Sequence, residues 1–255
     1  MFLKLDTYFL QPDSASTIHL YNGTFEMSEN SITRDRMLDV SIVGPAGRER
    51  QGDDQWEDVN SATVLTFMTG EPGTYLAGVS TKARTIDLSA DDFNGYLEHD
   101  GILDVLDERR KSGNLGDAAT ELYSKHVKAV LQVGERKTDH YGTVLGYPIE
   151  FVPMSNPYDL RVGRLIRVQL LQDGTPLPDQ LVYVGHASPG HSHPGGSEHT
   201  HGGEKQLRTD KNGIVLPQIT EAGHWYLRTI HMEEVGGDEL DYQSNWATLT
   251  FEVKD

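Results

Sequence analysis

The chain has 255 residues, 36% hydrophobic and 24% charged, with a formal net charge of −17: a globular balance, long enough for one large core or two ordinary ones. The acidic excess argues against nucleic acid, whose phosphates need a basic surface, and the absence of cysteine removes disulfides, thiolate metal sites and thiol nucleophiles. No apolar run reaches the ~18–20 residues that span a bilayer, so direct membrane insertion is not expected.

The opening stretch "MFLKLDTYFLQPDS" alternates apolar and polar residues. It lacks the basic head and long apolar run of a signal peptide, so either the chain is cytosolic or a leader is absent from it. Turn signals "YNG", "VGPAG" and "TGEPG" then punctuate runs such as "LDVSIVG" (38–44), "ATVLTFM" (62–68) and "TYLAGVS" (74–80). Their alternation and β-branched content predict half-buried strands. The acidic group Asp53, Asp54, Glu57 and Asp58 lacks the ligand order of an EF-hand and reads as a solvated loop.

The middle of the chain changes period. Ser89, with Asp92 three residues on, predicts a helix N-cap. Phe93, Tyr96, Leu97, Ile102, Leu103 and Leu106 follow at helical spacing, with Gly101 and Gly113 as stops. A second helix is expected to begin near Asp117, giving a helical segment around 89–125. Val127, Ala129, Leu131 and Val133 alternate, which predicts a strand over 124–134. "GYPIEFVPMSNPYDLRVGR" (146–164) carries three prolines and reads as a linker, with a domain boundary near 152.

After the linker come "RLIRVQLLQ" (164–172), "QLVYVG" (180–185), "WYLRTIHM" (225–232) and "WATLTFEV" (246–253), separated by the turns "QDG", "DKNG", "EAG" and "VGGD". About seven short strands in about 100 residues predict an immunoglobulin-like or transthyretin-like sandwich, with Trp225 and Trp246 in its core. The fold expected is therefore mainly β, two β-sandwich domains: 1–152 with a helical insertion, and 153–255.

One connection in the second domain stands out. "GHASPGHSHPGGSEHTHGGE" (185–204) holds five of the chain's 11 histidines: His186, His191, His193, His199 and His201. Imidazole is a borderline ligand suited to nickel, cobalt, zinc and copper. In extended backbone, residues i and i+2 point to one side, so "HSH" and "HTH" can each pinch an ion. The spacing matches no zinc finger and no HExxH motif occurs. The two readings that stand are an ion-capturing loop and a solvated spacer. His231, with Met232, Glu233 and Asp241, forms a second candidate cluster, or His231 is an ordinary edge histidine. His224, seven residues before it, falls on the opposite face of any strand. No nucleophile elbow, P-loop or dinucleotide fingerprint is present, so no enzyme is predicted.

Taken together, "LDVSIVGPAG", "FNGYLEHDGILDVLDERRKSG", "ELYSKHVKAVLQVG", "GYPIEFVPMSNPYDLRVG" and "WYLRTIHMEE…DYQSNWATLTFEV" resemble a bacterial family of secreted proteins of unknown function, often labelled as nickel/cobalt-uptake substrate-specific components. The resemblance runs over almost the whole chain. It implies export to the periplasm, β-rich domains and an association with transition-metal uptake, with a membrane transporter or outer-membrane receptor as partner. The family pattern touches His231, Met232, Asp241, Tyr242 and Trp246, whereas the histidine-rich loop looks like a variable insertion. The expectation is a periplasmic, non-catalytic protein binding nickel, cobalt, zinc or copper. Its rival is an extracytoplasmic interaction module in which the loop is incidental.

Overall fold

The computed structural model describes residues 1–187, 204–237 and 239–255. His191, His193, His199 and His201 lie outside the described residues. The chain begins with strands β1 (Phe2–Lys4), β2 (Phe9–Leu10), β3 (Ala15–Gly23), β4 (Ser28–Asn30), β5 (Met37–Gly44), β6 (Gly47–Arg50), β7 (Trp56–Val59), β8 (Ala62–Met68), β9 (Gly73–Thr81) and β10 (Arg84–Leu88). Helices α1 (Ala90–Asp100) and α2 (Leu103–Ser112) follow. Then come β11 (Ala119–Val133), β12 (Ile149–Pro153), β13 (Val168–Gln172), β14 (Thr175–Pro176), β15 (Leu181–Ala187), β16 (Lys205–Arg208), β17 (Ile214–Val215), β18 (Gly223–Glu234) and β19 (Tyr242–Val253). The protein is mainly β, as its alternation and turn spacing predict.

These strands form three sheets. The largest runs β16-β15-β18-β19-β11-β9-β5-β6, with β10 and β2 also on β11. A second runs β1-β3-β8-β7 with β4 on β3, and a small one runs β12-β13-β14 with β17 on β13. Short turns close the hairpins: Asp173 and Gly174, between β13 and β14, both have positive φ (47° and 75°). That is the backbone of a type I′ turn, whose twist matches the flanking strands.

Side-chain alternation on β11 shows how the sheets stack. Lys128 and Leu249 are register partners, and Lys128 reaches Glu150 of β12. Thr248 and Thr250, one residue to either side of Leu249, point the other way and donate to the carbonyls of Met1 and Leu3. The small sheet therefore covers one face of the large sheet and β1 covers the opposite face. This double coverage explains why all nine residues of β9 and the last eight of β11 are buried. Gly78 of β9 admits the covering layer, since a Cβ there would sit 2.2 Å from Leu145 Cδ1.

Helices α1 and α2 lie on the same face as β1, at the other end of the sheet. Phe93, Leu97, Ile102, Val105 and Leu106 cluster there with Ile230, Met232 and Tyr242. Ser89 caps α1 by accepting from the Asp92 N–H, and Gly101 and Gly113 end the two helices in the left-handed conformation. The helix expected near Asp117 is not formed. A single 3-10 turn (Asn114–Gly116) leads directly into β11, which begins at Ala119. There the pull of two flanking strands, β10 and β19, outweighs the local helical tendency of "DAATEL".

The proline-rich stretch 146–164 is also more ordered than a linker. It contains β12, whose five residues are all buried and pair with β13. Strands from either side of residue 152 share the large sheet: β11 and β19 run parallel over Glu121–Ala129. One hydrophobic cluster includes Leu3, Leu76 and Leu131 together with Phe151, Leu227 and Phe251.

Candidate functional site

The histidine-rich segment leaves and rejoins the large sheet through one edge hairpin. β15 and β16 pair antiparallel from Leu181↔Arg208 to Val184↔Lys205, so residues 185–204 start and finish side by side. β15 runs on along β18 as far as Ala187↔His224. His186 lies opposite Trp225 and stacks on its indole, with ring centroids 5.0 Å apart and planes at 24°. Its Nε2 is 2.7 Å from Glu221 Oε1, and both side chains reach solvent, at 31% and 49% exposure. Trp225 Nε1 in turn donates to the Glu221 carbonyl at 3.0 Å, closing the triangle of residues.

The returning end is held more firmly. Arg228 clasps Glu204 through Nε and Nη2 at 2.7 and 2.6 Å, with both side chains nearly buried. The same guanidinium donates to the Asp100 carbonyl at 2.8 Å and lies 4.2 Å from the Tyr183 ring centre. Tyr183 donates to the Gly101 carbonyl at 2.9 Å, and Arg208 grips Asp104 at 2.9 and 2.6 Å. The stem of the segment is thus tied to the helical insertion. Gly101 is needed there: its φ is 78°, and a Cβ would sit 2.2 Å from the Tyr183 hydroxyl.

His231 and Asp241, expected to act together, have separate partners. Gln180 Nε2 donates to Thr229 Oγ1 and to the Ile230 carbonyl, which turns its Oε1 to His231 Nδ1 at 2.8 Å. Nδ1 therefore carries the hydrogen, and Nε2 faces Glu233 Oε1 at 3.2 Å. Asp241 instead spends Oδ2 on the Thr120 N–H at 2.7 Å, while its own N–H donates to the Thr120 carbonyl. Met232, one residue from His231, is buried on the opposite face against the helices. Trp246 is half-buried there rather than in the sandwich core, stacked on Tyr96 and 4.3 Å below the Lys125 ammonium. Among the described residues no group of three or more His, Asp or Glu side chains is placed to hold a metal ion.

His224, on the face opposite His186, is buried beside Tyr8. Burial pushes its imidazole below the ordinary range. Its Nε2 is 3.8 Å from Glu252, whose Oε2 already accepts from the Thr7 hydroxyl and the Tyr8 N–H.

Sequence patterning did not expose a buried polar seam along β11. His126 bonds Ser80 through Nδ1 and Ser124 through Nε2, both at 2.9 Å. Burial pushes its pKa down to about 4. Lys128 and Glu150 pair at 2.9 Å, each 1% exposed, and Glu150 also accepts the N–H groups of Leu145, Gly146 and Tyr147. Burial lowers the Lys128 pKa, and the Glu150 charge offsets part of that. Gln132, Thr74 and Asn156 continue the seam. The polar residues at 126, 128 and 132 within an apolar strand were the available signal. Every one of them is satisfied, and none faces solvent.

Comparison with known proteins adds two findings. A family model described as "Domain of unknown function (DUF4198)" matches residues 1–233. A solved structure titled "D0-D1 domain of Intimin" is similar at 10% identity, covering 99% of this chain and 97% of that one, with a TM-score of 0.22. No curated protein matches the chain.

Proposed function

We propose that the chain, which belongs to the family described as a domain of unknown function (DUF4198), is a periplasmic, non-catalytic protein that captures divalent nickel, cobalt, zinc or copper through its histidine-rich segment. The observation that carries this reading is the crowding of five imidazoles into residues 185–204, on a connection whose two ends are anchored side by side. The donor set fits borderline transition ions and not hard, all-oxygen ones. Among the described residues the pairs His186–Glu221 and His231–Glu233 offer two donors each, so a complete coordination shell draws on the segment. Capture for uptake, with hand-over to a membrane transporter or an outer-membrane receptor, is the role consistent with this design. No helix among the described residues is long and apolar enough to cross a membrane.

Titration calorimetry with Ni²⁺ and Cu²⁺ tests the reading on protein purified without a tag or a nickel column. The native chain is expected to bind, and a variant with alanine at His186, His191, His193, His199 and His201 to lose at least tenfold in affinity. Equal binding by both removes the segment from the account.

A second reading, an interaction module, has its own support. Flanking the strands of the small sheet, Met154, Leu165 and Leu216 are 46%, 54% and 49% exposed, and Arg161, Arg164 and Arg167, which precede β13, are exposed as well. Arginine and methionine around aliphatic side chains are the composition of protein interfaces. If this face is the working surface, charge reversal at the three arginines abolishes partner binding in native envelope extracts, and chelator has no effect on it.

A further inference from the structure

The small sheet turns one face to the core and, among the described residues, the other to solvent. Ile166, Val168, Val215 and Ile219 are buried. They alternate along the chain with Leu165, Arg167, Leu216 and Gln218, which are exposed. The register gathers the exposed set. Val168 pairs with both Pro153 and Val215, so Met154, Arg167 and Leu216 fall in one row across three strands. The Met154 N–H donates to the Arg167 carbonyl at 2.9 Å. Leu165, opposite Gln218, belongs to the neighbouring row. The chain enters this face through a turn at 161–164, closed by the Arg164 N–H on the Arg161 carbonyl at 3.1 Å. Gly163 supplies the positive φ, 88°, at its third position, and Val162 stands exposed between Arg161 and Arg164.

Charge sets the face apart from the rest of the molecule. Residues 151–156, 160–169 and 211–220, which build it, contain no aspartate or glutamate, in a chain that has 39. They carry the exposed cations Arg161, Arg164, Arg167 and Lys211. Among the described residues none of these four is in a salt bridge, whereas Arg34, Arg48, Arg110 and Arg228 are. The acids that border the three segments are taken: Glu150 by Lys128, Asp159 by Lys137, Asp210 by the Asn212 and Ile214 N–H groups, and Glu221 by His186. We propose that this face docks the protein on an anionic phospholipid surface. The inference takes up the surface of the interaction reading, names its partner and does not depend on ion capture.

Three features favour lipid over protein. A guanidinium pairs with a phosphate through two parallel hydrogen bonds, and unpaired arginines are complementary to a layer of phosphates. Val162, Leu165, Met154 and Leu216, set among the cations, are aliphatic side chains of the kind that enter a headgroup layer while basic groups stay at its surface. The exposed apolar residues of this face include no Trp, Tyr or Phe, and aromatic anchors are what concentrate affinity in protein interfaces. The rest of the molecule sets the orientation. At a net charge of −17 the chain as a whole is repelled by anionic lipid, but at physiological salt that repulsion fades beyond about 8 Å. The acid-free face can touch the membrane while acids elsewhere stay out of range.

The test is flotation of the full chain, in chelator, with vesicles of phosphatidylcholine alone or mixed with phosphatidylglycerol. Binding is expected to the mixed vesicles and not to the neutral ones, and it should fall steeply between about 0.1 and 0.5 M NaCl. Each basic residue near an anionic surface contributes about fivefold. Arg161→Ala/Arg164→Ala/Arg167→Ala should therefore weaken binding about a hundredfold, and the same three changes to lysine should keep most of it. Val162→Ser/Leu165→Ser should weaken it at least about fivefold. All of these side chains are exposed, so thermal unfolding should not move. Arg84→Ala/Lys111→Ala, which removes two exposed cations elsewhere, should leave binding unchanged. Native-like binding by the arginine-to-alanine variant, or an equal loss in the Arg84/Lys111 variant, overturns the site. Failure of the native chain to bind the mixed vesicles, or equal binding to neutral ones, overturns anionic lipid as the partner and leaves the interaction reading to a protein. Neither result touches ion capture, which the chelator removes from the test.

Discussion

His126 and His186 sit on the same large sheet, and each has a strong polar partner within 3 Å. His126 is 2% exposed, both of its nitrogens are committed to serine hydroxyls, and burial holds it neutral down to about pH 4. His186 stands at the edge of the sheet with a carboxylate beside it and solvent around both. The comparison teaches that histidine content does not define a site. What differs between the two is access. The β11 seam is closed to solvent and joins the small sheet to the large one, whereas His186 and Glu221 are paired and solvent-exposed at once.

The largest effect is expected where the seam is breached. Glu150→Ala leaves Lys128 as an uncompensated buried cation and strips three N–H groups of their acceptor. Breaking a buried pair from one side costs about 3–5 kcal/mol. A urea midpoint that falls accordingly at unchanged slope checks this, and Lys128→Met/Glu150→Leu should recover part of the loss. A loss below about 1 kcal/mol would mean that the seam is solvated and the contrast with the stem is void.

Next in size is a pH effect. His126 has a folded pKa of about 4 against about 6.5 in the unfolded chain. Above pH 6.5 it contributes nothing to the pH dependence. As pH falls from 6.5 towards 4 the unfolded state takes up the proton first, and stability is lost, by about 3 kcal/mol at pH 4. His126→Leu should flatten the stability curve in that window relative to the native chain, measured by urea unfolding at pH 7, 5.5 and 4. Parallel curves would show that His126 protonates freely in the folded state.

Burial, rather than distance from the segment, should rank the residues of the stem itself. Glu204 belongs to the stem, yet it is clasped almost out of solvent by Arg228. Glu204→Gln is expected to cost about 2 kcal/mol, within the range for hydrogen bonds to charged groups. The loss stays below that of Glu150→Ala because Arg228 keeps the Asp100 carbonyl and the Tyr183 ring. A shift in thermal midpoint smaller than that of a surface substitution would place Glu204 with His186 instead.

Much of this arrangement was legible in the residues. Ser89, Gly101 and Gly113 marked the ends of the helices because capping is a local matter of one hydroxyl or one positive φ. The alternation at 127–133 marked β11 because its two faces meet different layers. Non-local features were not legible. Three prolines concealed β12, which tolerates them because Pro148 precedes the strand and Pro153 ends it. Trp246 looked like sandwich core, but its surroundings are set by α1, whose Tyr96 arrives from 150 residues earlier in the chain. The same holds for the site. The five imidazoles are visible as composition, while Glu221 becomes a partner of His186 only because β18 returns beside β15.

The smallest expected effect is the most discriminating. His186→Ala removes a partly exposed ring stacked on Trp225 and an ion pair that is open to solvent. Exposed pairs contribute roughly 0–1 kcal/mol, and surface substitutions usually fall within about 0.5 kcal/mol of neutral. The urea midpoint in the presence of chelator should therefore barely move. In the presence of Ni²⁺ the native chain should be more stable than the variant, by an amount that grows with ion concentration, because an ion that binds only the folded state stabilises it by mass action. A histidine that is dispensable for folding without the ion and stabilising with it is a ligand. If His186→Ala instead destabilises the ion-free protein as much as a buried substitution does, the stacking on Trp225 is structural, and His186 belongs in the same class as His126.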